Sequence, residues 1–340
     1  MSSGESTDRG RERSVPPGLG GIHHVTAIAG DPQQNVDFYA GTLGLRLVKQ
    51  TVNYDDPGTY HLYFGDAVGH PGTILTFFPW PGAPQGRHGV GQATGISFSV
   101  PPDSLGFWES RLKSRGIKFE RLDSPFDESV IEFSDPDGLQ LELVADVRKD
   151  LGDPWPGASV PVARAIRGFH SVALLERSPD DTERLLAEVM GFRRVQAAGH
   201  RRRYAAGDGG LATYVDVVGA PDAPAGRVAV GTVHHVAWRA ATEDAQHAWR
   251  QRLLDMGLNV TPVRDRQYFR SIYYHEPGGV LFEIATDPPG FTIDEPPEAL
   301  GTALRLPAWL EPRRQTLEAH LPALRIPRAG SGQEAHPHAP

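Results

Sequence analysis

Apolar and polar positions along the chain repeat one unit four times. Each unit opens on a short apolar strand and passes through a polar loop into a segment with apolar residues every three or four positions. It then meets a glycine and closes in further strands. The first copy runs His23-His-Val-Thr-Ala-Ile28, a helix over Gln33 to Leu43, then Gly44-Leu-Arg-Leu-Val48. The second opens at Gly95-Ile-Ser-Phe-Ser-Val100, has its helix from Leu105 to Ser114, continues through Gly116-Ile-Lys-Phe119 and closes with Asp135-Pro-Asp-Gly-Leu-Gln-Leu-Glu-Leu143. The third opens at Gly168-Phe-His-Ser-Val172, has its helix from about Asp181 to Met190, then Gly191-Phe-Arg-Arg-Val195. The fourth opens at His234-His-Val-Ala-Trp238, has its helix from Glu243 to Met256, then Gly257-Leu-Asn-Val260, and closes with Glu276-Pro-Gly-Gly-Val-Leu-Phe-Glu-Ile284. Spacings such as Trp249, Leu253, Met256 mark helix faces packed on a sheet. The glycine after each helix suits a left-handed position, and Asp-Pro-Asp-Gly and Glu-Pro-Gly-Gly are turns before a last strand. A βαβββ repeat of roughly 65–75 residues is too large for a solenoid unit. The expected class is α+β, with paired modules whose sheets curl around a cleft.

Composition narrows the picture. A chain of 340 residues fits two domains of about 150 each. We place them at 19–150 and 164–290, two modules in each, followed by a C-terminal extension at 291–326. The polar ends, residues 1–18 and 327–340, read as disordered tails, so His336 and His338 are tail residues and not ligands. A net charge of −8 and a pI near 6.0 give no basic footprint for nucleic acid or anionic lipid, and a small molecule is the expected partner. No apolar run reaches membrane-spanning length and the N-terminus lacks a signal-peptide core, so a cytoplasmic location is expected. The oligomeric state is open, a homo-oligomer included. With 0 cysteines, any metal must be held by nitrogen and oxygen.

Candidate chemistry lies in two matching dipeptides, His23-His24 and His234-His235, and in Glu283 on the last strand of the fourth unit. Two histidines and one carboxylate make a divalent-metal site with open coordination positions. Neighbours on a strand point to opposite faces, so one ligand per pair is expected.

These repeats resemble the vicinal oxygen chelate superfamily, which includes glyoxalase I, bleomycin-resistance proteins and extradiol ring-cleaving dioxygenases. The resemblance covers about residues 20–325 and is strongest to the dioxygenases that open hydroquinones. It is carried by His23-His-Val-Thr26, Tyr60-His-Leu-Tyr-Phe64 with Pro71-Gly-Thr73, Gly168-Phe-His170, and Arg266-Gln-Tyr-Phe269 leading to Pro277-Gly-Gly-Val-Leu-Phe-Glu283. It implies four modules forming two curled-sheet barrels, and a metal, Fe(II) or else Mn(II), on His24, His235 and Glu283. It also implies an aromatic diol and dioxygen as reactants of an extradiol-type cleavage. His234, Tyr273 and Arg266 would act on substrate and oxygen, His23 and Thr26 would support the first module's side, and His61 is a weaker candidate for the pocket.

Aligning the modules tests that assignment from inside the chain. Ser171 falls under His24, Gly95 under His235 and Glu142 under Glu283, so modules two and three cannot hold a transition metal. One site per chain follows, and modules one and four must face each other. Arg201-Arg-Arg203 reads as a solvated strand edge or turn, and Gly207-Asp-Gly-Gly210 as a turn, since no P-loop lysine follows. Two other readings stay open: a glyoxalase-like isomerase or lyase using nickel, zinc or manganese, and a metal-free binding or resistance protein.

Overall fold

The computed structural model describes residues 16–148 and 152–327. Most of the two expected tails lies outside this range, His336 and His338 included. Pro17, inside the expected tail, is held: its carbonyl accepts the Trp249 indole N–H at 2.8 Å.

Module one contributes β1 (Ile22–Ala29), β2 (Arg46–Val52), β3 (Tyr60–Gly65) and β4 (Ile74–Pro79). Module two contributes β5 (Gln92–Val100), β6 (Phe119–Asp123), β7 (Ser129–Ser134) and β8 (Gln140–Ala145). Module three contributes β9 (Gly168–Glu176), β10 (Arg193–Ala198), β11 (Arg201–Ala205) and β12 (Tyr214–Gly219). Module four contributes β13 (Thr232–Ala240), β14 (Arg264–Asp265), β15 (Phe269–His275) and β16 (Leu281–Pro289). The helices are α1 (Pro32–Val36), α2 (Leu105–Ser114), α3 (Asp180–Arg184), α4 (Glu243–Asp255) and, in the extension, α5 (Arg314–His320).

The glycines at the helix ends all take the left-handed conformation, with φ of 72° at Gly44, 69° at Gly116, 75° at Gly191 and 81° at Gly257. Modules one and three depart from plain helix: α1 continues as a π-helical turn over Asp37–Thr42 and α3 over Leu185–Val189. Each π turn carries two adjacent buried apolar residues, Phe38-Tyr39 and Leu185-Leu186. The wider turn carries both neighbours on the side packed against the sheet.

The strands form two curled eight-stranded sheets, ordered β14-β15-β16-β13-β1-β4-β3-β2 and β10-β11-β12-β9-β5-β8-β7-β6. Modules one and four therefore share one sheet, and modules two and three the other. The divide near residue 150 splits the sequence, while each sheet draws on both halves. The antiparallel seams β1/β13 and β5/β9 lie at the two sheet centres, which is why all eight residues of β1 are buried. The two sheets are tied together by close backbone contacts, Ile22 N–H to Ala212 O at 2.7 Å and Phe169 N–H to Gly72 O at 2.9 Å.

Arg203 corrects the sequence reading of Arg201–Arg203. Strand β11 lies between β10 and β12, and alternation turns Arg203 inward, where it is 2% exposed beside Asp216. Among the described residues, no helix is long and apolar enough to cross a membrane.

Candidate metal centre

The seam between β1 and β13 builds the site. Ile22 pairs with Trp238 and His24 with Ala237, so His23 is an extra residue on β1. Thr26 pairs with His235 and Ala27 with Val233, so His234 is an extra residue on β13. Both are β-bulges, which re-aim side chains. Strict alternation would have sent neighbouring histidines to opposite faces. The bulges instead bring the rings together, His23 Nδ1 to His24 Nδ1 at 2.9 Å and His234 Nδ1 to His235 Nδ1 at 2.8 Å.

These contacts fix the protons. His23 Nε2–H donates to the Thr286 carbonyl at 3.1 Å, which leaves His23 Nδ1 as an acceptor for His24 Nδ1–H. His24 Nε2 is then a free lone pair. On β13 a metal on His235 Nε2 would require the same arrangement, with His235 Nδ1–H donating to His234 Nδ1 and the remaining proton of His234 on Nε2. Burial first, then the neighbouring imidazole, holds His23 and His234 at about 3, so both rings are neutral.

The two free nitrogens meet Glu283, on β16 beside β13. His24 Nε2 and His235 Nε2 are 3.3 Å apart, and Glu283 Oε2 lies 2.9 Å from His235 Nε2 and 3.4 Å from His24 Nε2. All three residues are buried, and among the described residues the two imidazoles are what Glu283 Oε2 faces. Metal–ligand bonds of about 2.1 Å at right angles would set adjacent donor atoms about 3.0 Å apart. The donor set and its spacing fit a divalent ion. Burial opposes ionisation of Glu283, but His24 first and then His235, close beside it, outweigh burial and hold the carboxyl well below the usual range. The Ser271 hydroxyl donates to Glu283 Oε1 and fixes the carboxylate plane.

A cavity of about 200 Å³ opens over these atoms, walled by Tyr54, His61, Tyr63, Phe78, Trp80 and Phe269. Of the residues singled out in the sequence, His24, His235, Glu283, His234, Arg266, Tyr273 and His61 line it. His23 and Thr26 do not: His23 stands behind His24, and the Thr26 hydroxyl contacts that of Thr76 at 3.1 Å. Both nitrogens of His61 are engaged, by Thr76 Oγ1 at 2.7 Å and by Tyr63 Oη at 2.8 Å. Tyr273 sits across from Glu283 on β15. Its hydroxyl accepts the Arg266 Nε–H at 3.1 Å, and Arg266 pairs with Asp55 at 2.8 Å. Arg266 is aimed inward by a tight turn in which Gln267 takes φ of 67°, a conformation costing about 1 kcal/mol. Asn53, Tyr54, Asp55, Phe78, Trp80 and Ser271 were missed, because Asn53-Tyr-Asp-Asp-Pro-Gly58 reads only as a turn and Phe78-Pro-Trp80 as a strand end.

Comparison with known proteins now decides the family. The model of the glyoxalase/bleomycin resistance protein/dioxygenase superfamily matches residues 21–143 and 168–294. The chain belongs to this superfamily. Within it, the chain is similar to ring-cleaving dioxygenases. It is 49% identical over 302 residues to a protein of Bacillus subtilis (strain 168) described as ring-cleaving dioxygenase MhqO, covering 88% of this chain and 95% of that protein. It is 37% identical over 307 residues to the chlorohydroquinone/hydroquinone 1,2-dioxygenase of Sphingobium indicum, covering 87% of this chain and 94% of that one. The crystal structure of a Bacillus subtilis protein described as a dioxygenase superposes with a TM-score of 0.88 at 47% identity, over 92% of this chain and 99% of its own. Glyoxalase I from Zea mays, at 13% identity and a TM-score of 0.58, shares the fold.

Proposed function

We propose that this superfamily member is a metal-dependent, extradiol-type ring-cleaving dioxygenase acting on a hydroquinone, with catechols as the second substrate class. The observation that carries this reading is the convergence of His24 Nε2, His235 Nε2 and Glu283 Oε2 on the floor of an aromatic-walled cavity. Similarity to the Sphingobium chlorohydroquinone/hydroquinone 1,2-dioxygenase supports taking para-diols first. Fe(II) suits two imidazoles and one carboxylate with open positions, and Mn(II) is the alternative. Held by His24, His235 and Glu283, the ion would supply Lewis acidity toward a diol oxygen and a redox path between the diol and dioxygen.

The protein's own groups do the rest. Tyr54, Phe78 and Trp80 enclose the ring and exclude water. Tyr273 accepts a hydrogen bond from Arg266 and so turns its own O–H toward the substrate oxygen. The Arg266 guanidinium stays charged, since Tyr273 and Asp55 together outweigh the burial that opposes its charge, and it stabilises negative charge developing on oxygen. His234 presents Nε2–H as a further donor. The ring carbon–carbon bond beside the hydroxyl-bearing carbon breaks, two carbon–oxygen bonds form, and both atoms of dioxygen stay in the product. The ring is oxidised and dioxygen reduced, with no other reductant needed.

The test is oxygen uptake by protein loaded anaerobically with Fe(II) or Mn(II), across a panel of hydroquinones and catechols. One dioxygen consumed per diol, with loss of the aromatic absorbance, is expected. No uptake with any diol and either metal overturns the reading.

A further inference from the structure

The family model ends at residue 294, yet the chain beyond it packs against the cavity wall. After β16 it returns along β2: Leu304 bridges to Gln50, the Arg305 N–H donates to Gln50 O at 2.8 Å, and Gln50 Nε2–H donates to Gly301 O at 2.6 Å. Lys49, fully buried on β2, is the anchor. Its ammonium pairs with Asp294 at 2.6 Å and with Glu295. Farther on, Pro322 O accepts the Tyr60 hydroxyl at 2.9 Å. Between these fixed points lies the β2–β3 turn, closed by Asn53 N–H to Thr59 O at 2.8 Å, whose Asn53, Tyr54 and Asp55 line the cavity.

Trp309 reaches that turn from the extension. Its ring meets Tyr54 edge-on with centroids 5.6 Å apart, although Trp309 is itself 51% exposed. A half-exposed tryptophan adds little to core stability, because much of its surface stays in water. Its edge-on contact does restrict the Tyr54 ring, whose hydroxyl has a long 3.4 Å contact with Thr51 Oγ1.

We propose that residues 295–327 are a brace that sets the ring selectivity of the cavity, with Trp309 as the positioning residue and Tyr54 as the wall that reads ring substituents. The inference rests on the dioxygenase reading for its substrate class. With Tyr54 held, a bulky substituent on the diol meets a fixed wall. With Tyr54 released, the wall yields, and the cavity loses both affinity and discrimination.

The experiment compares native protein with Trp309→Ala, Trp309→Phe and Tyr54→Leu, using hydroquinone and a bulky alkyl-substituted hydroquinone. Anaerobic Kd on metal-loaded protein is measured beside steady-state oxygen consumption. Trp309→Ala is expected to raise Kd and KM for hydroquinone about 3- to 30-fold and to shrink the preference against the bulky diol by a similar factor. The kcat, metal content and Tm should stay near native, and Trp309→Phe should restore KM. Tyr54→Leu reads the same selectivity if Trp309→Ala fails to fold. Unchanged selectivity in Trp309→Ala and Tyr54→Leu overturns the proposal, as does a parallel loss of kcat and metal in Trp309→Ala. If native protein consumes no oxygen, the dioxygenase reading fails, and the anaerobic Kd values still decide the brace.

Discussion

The two sheets share one plan and fill it with opposite contents. Each central seam carries two bulges, formed by His23 and His234 in one sheet and by His170 and Thr94 in the other. The register then places Ser171 where the first sheet has His24, Gly95 where it has His235, and Glu142 where it has Glu283. In the first sheet, three lone-pair atoms converge beneath an open cavity. In the second, the chain supplies its own cation. Arg203 donates to Asp216 at 2.7 and 3.0 Å and to Glu128 at 2.6 Å. Its guanidinium lies 4.4 Å from the Phe126 ring centre and 5.1 Å from that of Tyr214. A buried carboxylate needs a positive partner. One sheet meets that need with a side chain, while the other leaves a place that a divalent ion fits.

The largest expected effect is in the first sheet. His24→Ala, His235→Ala and Glu283→Ala each remove one of three donors and should abolish metal retention and turnover while the fold persists. Glu142→Ala should leave metal content native, because its counterparts of His24 and His235 are Ser171 and Gly95, and it accepts a hydrogen bond from Ser97. Metal analysis of the purified variants checks both halves. Full occupancy in any of the first three would erase the contrast between the sheets.

Next in size is the second sheet's own cation. Arg203→Met leaves Asp216, 1% exposed, with the Arg201 guanidinium 3.6 Å away in place of its two short bonds. It should cost up to about 3–5 kcal/mol of stability, the penalty for orphaning a buried charge. Denaturant unfolding measures the loss, and metal content in the surviving folded protein should stay native. A change near zero would mean that water replaces the guanidinium and that this interior is not closed.

Legibility in the sequence divides along the same line. The four modules, the helix-ending glycines and the correspondences of Ser171, Gly95 and Glu142 follow from periodicity and internal repetition, because backbone geometry imposes them wherever the unit recurs. The pairing of modules one and four follows from the split of His24 from His235 and Glu283. The bulges do not follow, since they depend on cross-strand register, which one strand's pattern does not carry. Arg203 was misread for a related reason: three consecutive arginines look like a solvated run until partner strands place Asp216 and Glu128 beside the middle of β11's inward face. Lys49 and the 53–55 turn are illegible because their partners lie some 245 and 211 residues away, at Asp294 and Arg266.

A smaller effect separates binding a metal from using it. Tyr273→Phe and Arg266→Ala should retain the ion and lower kcat by about 10- to 1,000-fold, roughly 1.4–4 kcal/mol of transition-state stabilisation. If their hydrogen bonds were equally strong to ground and transition states, KM alone would rise. Oxygen consumption across diol concentration distinguishes the two. Native kinetics in both variants would make these residues structural.

The smallest effect concerns a buried position where the sheets differ away from both the metal centre and Arg203. The register that places Ala29 on β1 places Glu176 on β9. Glu176 is fully buried, and among the described residues neither carboxylate oxygen has a hydrogen-bond partner. It presses on Gly278, where an added Cβ would come within 1.8 Å of Glu176 Oε2. Nearby Glu276 takes the donors: the Thr182 hydroxyl at 2.6 Å, Gly278 N–H at 2.9 Å and Val280 N–H at 2.8 Å. Burial, and then the charge of Glu276, push the Glu176 carboxyl up to about 8. The folded state therefore holds a proton that the unfolded chain releases near pH 4.3. Stability from this group is complete below that pH and is lost as pH rises toward 8. Glu176→Gln keeps the shape and removes the titration. It should gain on native protein as pH rises from 5 to 8, read as a Tm difference that widens with pH. A constant difference across that range would mean that Glu176 is solvated and ionised in solution.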